Sequence, residues 1–70
     1  MRTMIRVTVN GEARGFDGPL SVHQLLAALA LDPRKVAVER NEEIVPRSRY
    51  AEIALIEGDA LEIVHFIGGG

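Results

Sequence analysis

Ser21-Val22-His23-Gln24-Leu25-Leu26-Ala27-Ala28-Leu29 is the one helical stretch in a sequence that otherwise alternates or turns. Ser21 with Gln24 three residues on has the form of a capping box, in which each side chain satisfies a backbone N–H of the other residue. Val22, Leu25, Leu26 and Leu29 fall at i, i+3, i+4 and i+7, so one apolar stripe faces a core. The alanines at 27, 28 and 30 favour helix. His23 falls near the helix start on its wetter side and is expected to be a surface residue rather than a ligand. Asp32-Pro33 is expected to end the helix, because proline disfavours the helical conformation in the residue before it.

Residues 4–10 alternate, with Ile5, Val7 and Val9 on one face and Met4, Arg6 and Thr8 on the other, as in a half-buried strand. Asn10-Gly11 is a hairpin signal, because both central positions of a type I′ turn need positive φ; it is read here as a turn and nothing more. The return strand is expected over 13–16, broken by Gly18-Pro19. After the helix, residues 36–40 read as a third strand, turned at Asn41-Glu42 into a short return strand at 43–45. Pro46 lacks an N–H and ends that strand or confines it to an edge. Residues 47–55 read as irregular, with Tyr50, Ile53 and Leu55 or Ile56 plugging the open end of the core. Glu57-Gly58-Asp59 turns the chain into a final strand over 61–67. One helix among strands excludes an alternating βαβα architecture. It predicts an α+β domain, a mixed sheet of four to five strands with the helix packed on one face.

Seventy residues make one small domain. A net charge of −2 gives no electrostatic footprint for nucleic acid. No stretch approaches the ~18 apolar residues of a membrane span. There is no cysteine, which removes disulfides, thiolate nucleophiles and Cys-ligated zinc together. His23 and His65 share no ligand spacing, so no metal site is expected. This composition fits a cytoplasmic protein, monomeric when free, with no nucleic-acid or membrane partner.

In Leu61-Glu62-Ile63-Val64-His65-Phe66-Ile67, Leu61 and Ile63 share one face and Val64 and Phe66 the other. With Leu61 and Ile63 in the core, Val64 and Phe66 stand on the sheet surface away from the helix, an apolar docking patch. His65 follows the Leu61 side and is expected packed at the edge of the core. Gly68-Gly69-Gly70 follows. Glycine adds no packing and permits close backbone approach. Three residues reach at most about 10 Å, enough to carry a carboxylate into a narrow cleft of another protein. The expectation is a domain over 1–67, a flexible tail over 68–70, and the α-carboxyl of Gly70 as the reactive group. A free α-carboxyl has a pKa near 3.3–3.7, so it is ionised and nucleophilic. No glycine-rich phosphate loop precedes the helix, so the chain is not expected to hold a phosphate group itself.

Val36-Ala37-Val38-Glu39-Arg40-Asn41-Glu42-Glu43-Ile44-Val45-Pro46-Arg47, then Glu57-Gly58-Asp59 and Glu62-Ile63-Val64-His65-Phe66-Ile67-Gly68-Gly69-Gly70, resembles the ThiS family of thiamine-biosynthesis sulfur carriers over essentially the whole chain. The resemblance implies a ubiquitin-like β-grasp fold. It implies a protein co-substrate, with no catalytic residues and no bound cofactor or metal of its own. A ThiF-like adenylyltransferase, using ATP and Mg, would adenylate Gly70. Sulfur from a persulfide sulfur donor would convert it to a thiocarboxylate, and a ThiG-like thiazole synthase would take that sulfur. Gly68, Gly69 and Gly70 would enter the partners' active sites, with Val64, Phe66 and Ile67 in partner contact. Arg47 and Arg49 would meet acidic partner surface or stand in a solvated loop. A terminal Gly-Gly alone is shared with ubiquitin-like modifiers and with the small subunit of molybdopterin synthase; the Val-Pro-Arg segment argues against the latter.

Overall fold

The computed structural model describes residues 3–66. Five strands are present: β1 (Thr3–Val9), β2 (Glu12–Gly18), β3 (Val36–Arg40), β4 (Glu43–Val45) and β5 (Ala60–His65). They form one sheet in the order β2-β1-β5-β3-β4. β1 and β5 run parallel at its centre, and every other neighbour pair is antiparallel. The single helix, α1 (Val22–Ala28), covers one face. Ile5, Val7 and Val9 are buried with Val36, Val38, Val45, Leu61 and Ile63 against Val22, Leu25 and Leu26. The period-two pattern thus selects the buried face of each strand, and a one-residue slip would turn all of these side chains to solvent. The expected sheet and single helix are both found. The return strand is longer than 13–16, because every residue from Glu12 to Gly18 pairs with β1. The last strand begins one residue earlier than expected and ends at His65; Ile67 lies outside the described residues.

The capping box is formed. Gln24 N–H donates to Ser21 Oγ at 3.0 Å, and Ser21 N–H donates to Gln24 Oε1 at 2.8 Å. The helix stops earlier than Asp32-Pro33 predicts. Leu31 N–H donates to the Leu26 carbonyl at 2.9 Å and Ala30 N–H to the Ala27 carbonyl at 3.0 Å, while Ala30 takes φ +59. This is a Schellman ending with alanine where glycine is usual, so the stop signal carries no glycine to reveal it. Ala30→Gly should stabilise the fold by about 0.5–1 kcal/mol, because glycine adopts positive φ without the Cβ clash. Urea unfolding followed by circular dichroism checks this. Asp32 instead caps a 3-10 turn, Pro33–Lys35. Hydrogen bonds from the Arg34 side chain, then from the Arg34 backbone N–H, hold its carboxyl at about 2.

Residues 46–59 return the chain from β4 to β5 past the start of α1. A 3-10 turn over Arg47–Arg49 follows Pro46. Val22 N–H donates to the Ile53 carbonyl and Leu55 N–H to the Leu20 carbonyl, tying this crossover to the helix start. Tyr50 and Leu55 are buried and Ile53 is half-buried, as expected of the plug; Ile56 is exposed, so Leu55 is the plugging residue of that pair. The Tyr50 hydroxyl donates to the Val36 carbonyl at 3.4 Å. His23 is exposed, as expected for the wetter side of the helix.

Candidate functional site

β5 is the strand that leads to the glycine tail, and its outer face is the candidate site. Leu61 and Ile63 are buried beneath it, while Val64 and Phe66 are 62% and 56% exposed on the other side. Val64 stands opposite Ala37 of β3, and Glu62 opposite Glu39. Beyond β3, Glu39 pairs with Ile44 of β4, which is 68% exposed on the same face. Among the described residues no helix covers this face, and its apolar residues are exposed. Val64 and Phe66 are thus exposed on the face away from the helix, as expected. His65 is also exposed, against the expectation that it packs at the core's edge. It does point to the Leu61 side, but Val36, its partner on β3, is the last buried residue of that row. Ile67, Gly68, Gly69 and Gly70 lie outside the described residues.

Two asparagines fix where β5 runs. Asn10 (φ +51) and Asn41 (φ +52) occupy left-handed positions in the two hairpin turns. The Asn10 backbone N–H donates to the Leu61 carbonyl at 2.8 Å. Its side-chain Oδ1 accepts from Ile63 N–H at 2.8 Å, and its Nδ2 donates to the Ile63 carbonyl at 3.1 Å. β1 has ended at this level, and the Asn10 amide stands in for the strand that would have continued. On the opposite flank Asn41 N–H donates to the Ala60 carbonyl at 2.7 Å, and Asn41 Oδ1 accepts from Ala60 N–H at 2.9 Å. Asn10-Gly11 is thus more than a turn. The sequence signal was the choice of asparagine, whose amide both donates and accepts.

Asp59 completes the arrangement. It is the one buried charged residue among those described, 3% exposed. Its carboxylate accepts from Ile56 N–H at 2.9 Å and from Asn41 Nδ2 at 3.1 Å, with Arg40 Nε at 3.8 Å. Its own carbonyl accepts from Thr8 N–H at 3.0 Å. A buried carboxylate satisfied in this way holds the turn before β5 in one conformation. At the far end Phe66 N–H donates to the Lys35 carbonyl at 2.9 Å, so pairing with the β3 side persists to the last described residue.

Arg47 and Arg49 are both exposed. Arg47 donates to the Arg34 carbonyl at 3.3 Å and Arg49 pairs with Glu52 at 3.3 Å. A shallow pocket of about 180 Å³ lies beside β4, lined in part by Arg40, Ile44, Pro46 and Arg49. Among the described residues no group of three or more His, Cys, Asp or Glu is placed to hold a metal ion. No helix among them is long and apolar enough to cross a membrane.

The crystal structure of the thiamine biosynthesis protein ThiS from Geobacter metallireducens matches this fold with a TM-score of 0.80 at 38% identity, covering 94% of this chain and all of that one. The five-stranded mixed sheet with one helix is therefore the β-grasp fold. The sulfur carrier protein ThiS of Bacillus subtilis is 48% identical over 50 residues, 71% of this chain and 76% of that protein. A protein of Paramagnetospirillum magneticum named thiazole synthase is 56% identical over 66 residues, 94% of this chain. The chain spans only 20% of the length of that relative. The ThiS family model matches residues 7–70, which include β5, its exposed face and the three glycines. The chain belongs to the ThiS family.

Proposed function

We propose that this chain is a sulfur carrier of thiamine biosynthesis whose reactive group is the α-carboxylate of Gly70. The observation that carries the reading is β5 itself. It is hydrogen-bonded on both flanks by Asn10 and Asn41, bears exposed Val64, and is followed by exposed Phe66 and, in sequence, by Gly68-Gly69-Gly70. A strand followed in sequence by residues without side chains can deliver a carboxylate into a narrow cleft while the neighbouring apolar face docks.

In this reading the Gly70 carboxylate oxygen attacks the α-phosphorus of ATP on a ThiF-like adenylyltransferase, with Mg. Pyrophosphate leaves and an acyl-adenylate forms. A persulfide sulfur then attacks the acyl carbon and AMP departs. A thiol cleaves the resulting acyl disulfide to leave the thiocarboxylate. A ThiG-like thiazole synthase takes the sulfur into the thiazole ring. The Paramagnetospirillum relative supports this partner, since a segment closely similar to this chain occupies a fifth of a protein named thiazole synthase. The chain is the substrate of these steps, and the partners supply nucleotide binding and proton transfer. In this reading the carrier works in the cytoplasm and is a monomer when free. Gly68, Gly69 and Gly70 enter the active sites, and Val64, Phe66 and Ile67 contact the partners.

Phe66→Asp should keep the fold, because the side chain is more than half exposed. It should weaken adenylyltransferase binding by about 2 kcal/mol, roughly 30-fold, as expected for an aromatic anchor. Titration calorimetry with the purified adenylyltransferase, beside a melting curve, reads both. Unchanged affinity would remove Phe66 from the interface. Sulfur delivered to a pterin precursor instead of a thiazole would assign the chain to the molybdopterin type. An isopeptide bond from Gly70 to lysines of other proteins would make it a modifier.

A further inference from the structure

The outer face of the sheet carries a charge pattern that its apolar residues do not account for. Glu39 and Glu62 are directly opposite each other on β3 and β5, in a row with exposed Ile44 and one row from Val64 and Ala37. Both point away from the helix, because Val38 and Ile63, their neighbours along the strands, are a buried pair. Side chains at directly opposed positions stand about 4.5–5.5 Å apart at Cβ, where like charges repel. Neither glutamate has a side-chain hydrogen bond or an ion pair with any described residue. The basic side chains near this level are engaged elsewhere: Arg40 with Asp59 and the Ala54 carbonyl, Arg49 with Glu52. Among the described residues, therefore, the two opposed carboxylates have no charge partner and stand beside exposed Ile44 and Val64.

We infer that this face is built for a partner surface presenting an arginine or lysine between apolar side chains, and that its occupant is the thiazole synthase. The cation would sit between the Glu39 and Glu62 carboxylates while apolar groups cover Val64 and Ile44. Charge complementarity selects a basic partner surface. The synthase is selected because a segment 56% identical to this chain is carried within a protein of that name. The inference rests on the sulfur-carrier reading and adds to it which residues select the partner and by what chemistry. Glu39 and Glu62 are specificity residues of docking; they touch no reacting atom.

The test uses the full chain and the purified thiazole synthase of the same organism. Glu39→Gln with Glu62→Gln removes both charges and keeps the shapes. A control, Glu12→Gln with Glu52→Gln, makes the same change in net charge off this face. The doubly neutralised face should bind the synthase about tenfold more weakly. The wild-type complex should weaken as salt is raised from about 0.05 to 0.5 M, and the Glu39/Glu62 variant should lose most of that dependence. The control should bind as wild type does. The melting temperature of the free Glu39/Glu62 variant should equal or exceed that of wild type, because a repulsion is gone, which separates lost docking from lost folding. Equal or tighter binding by the Glu39/Glu62 variant overturns the inference, as does an equal loss in the control. Both outcomes leave the carrier reading standing, since that is judged by sulfur loading of the wild-type chain. A wild-type chain that loads sulfur but does not bind the synthase also overturns the inference. A wild-type chain that neither loads sulfur nor binds overturns both.

Discussion

Gly70→Ala should leave the domain folded and reduce adenylation by about a hundredfold or more, the scale on which a misplacement of about 1 Å acts. A methyl group at the terminal Cα adds bulk next to the attacking carboxylate, at the point where a narrow cleft has least room. The buried cluster among the described residues runs from Ile5 to Ile63. Pyrophosphate release in the presence of ATP, Mg and the adenylyltransferase measures the rate, and a melting curve controls for folding. Deleting Gly69 and Gly70 should abolish the reaction. Normal thiocarboxylate formation by the alanine variant would show that the cleft does not require glycine. Normal delivery of sulfur by the truncated chain would show that the tail is inert.

Asn10→Ala should destabilise the fold by about 2–4 kcal/mol. Alanine at φ +51 carries a left-handed strain of about 1 kcal/mol or more. Losing the amide removes two hydrogen bonds to Ile63, each worth about 0.5–1.5 kcal/mol. A domain of this size has only a few kcal/mol of stability, so the variant should be largely unfolded at 37 °C. Asn10→Gly should recover about 1 kcal/mol of the loss, because glycine accepts the backbone angle but cannot replace the amide. Denaturant titration of the two variants side by side separates strain from the clamp. Equal stability of Asn10→Gly and wild type would mean that the Ile63 hydrogen bonds contribute nothing.

The strands and the buried face were legible because apolar alternation is a direct consequence of a half-buried sheet. Ile5, Val7 and Val9, Val36 and Val38, and Leu61 and Ile63 all fall where that rule puts them. The helix start was legible because Ser21 and Gln24 carry the capping chemistry in their own side chains. The helix end was not, because Ala30 adopts a conformation usually betrayed by glycine. The exposed Val64 and Phe66 followed from counting helices: one helix can cover only one face. The clamps by Asn10 and Asn41 were hidden, because each joins residues far apart in sequence, 10 with 63 and 41 with 60. Local turn rules account for these asparagines without revealing the longer-range hydrogen bonds. The opposed glutamates were hidden for the same reason, since only strand register brings 39 beside 62.

The central claim is that Gly70 carries sulfur, and intact mass tests it most directly. The chain, ending in a free Gly70 carboxylate, is incubated with ATP, Mg, the adenylyltransferase, a persulfide donor and a thiol. Replacement of one terminal oxygen by sulfur predicts a gain of about 16 Da, lost again when the thiazole synthase and its substrates are added. An unchanged mass, with an adenylyltransferase shown to be active, would contradict the account.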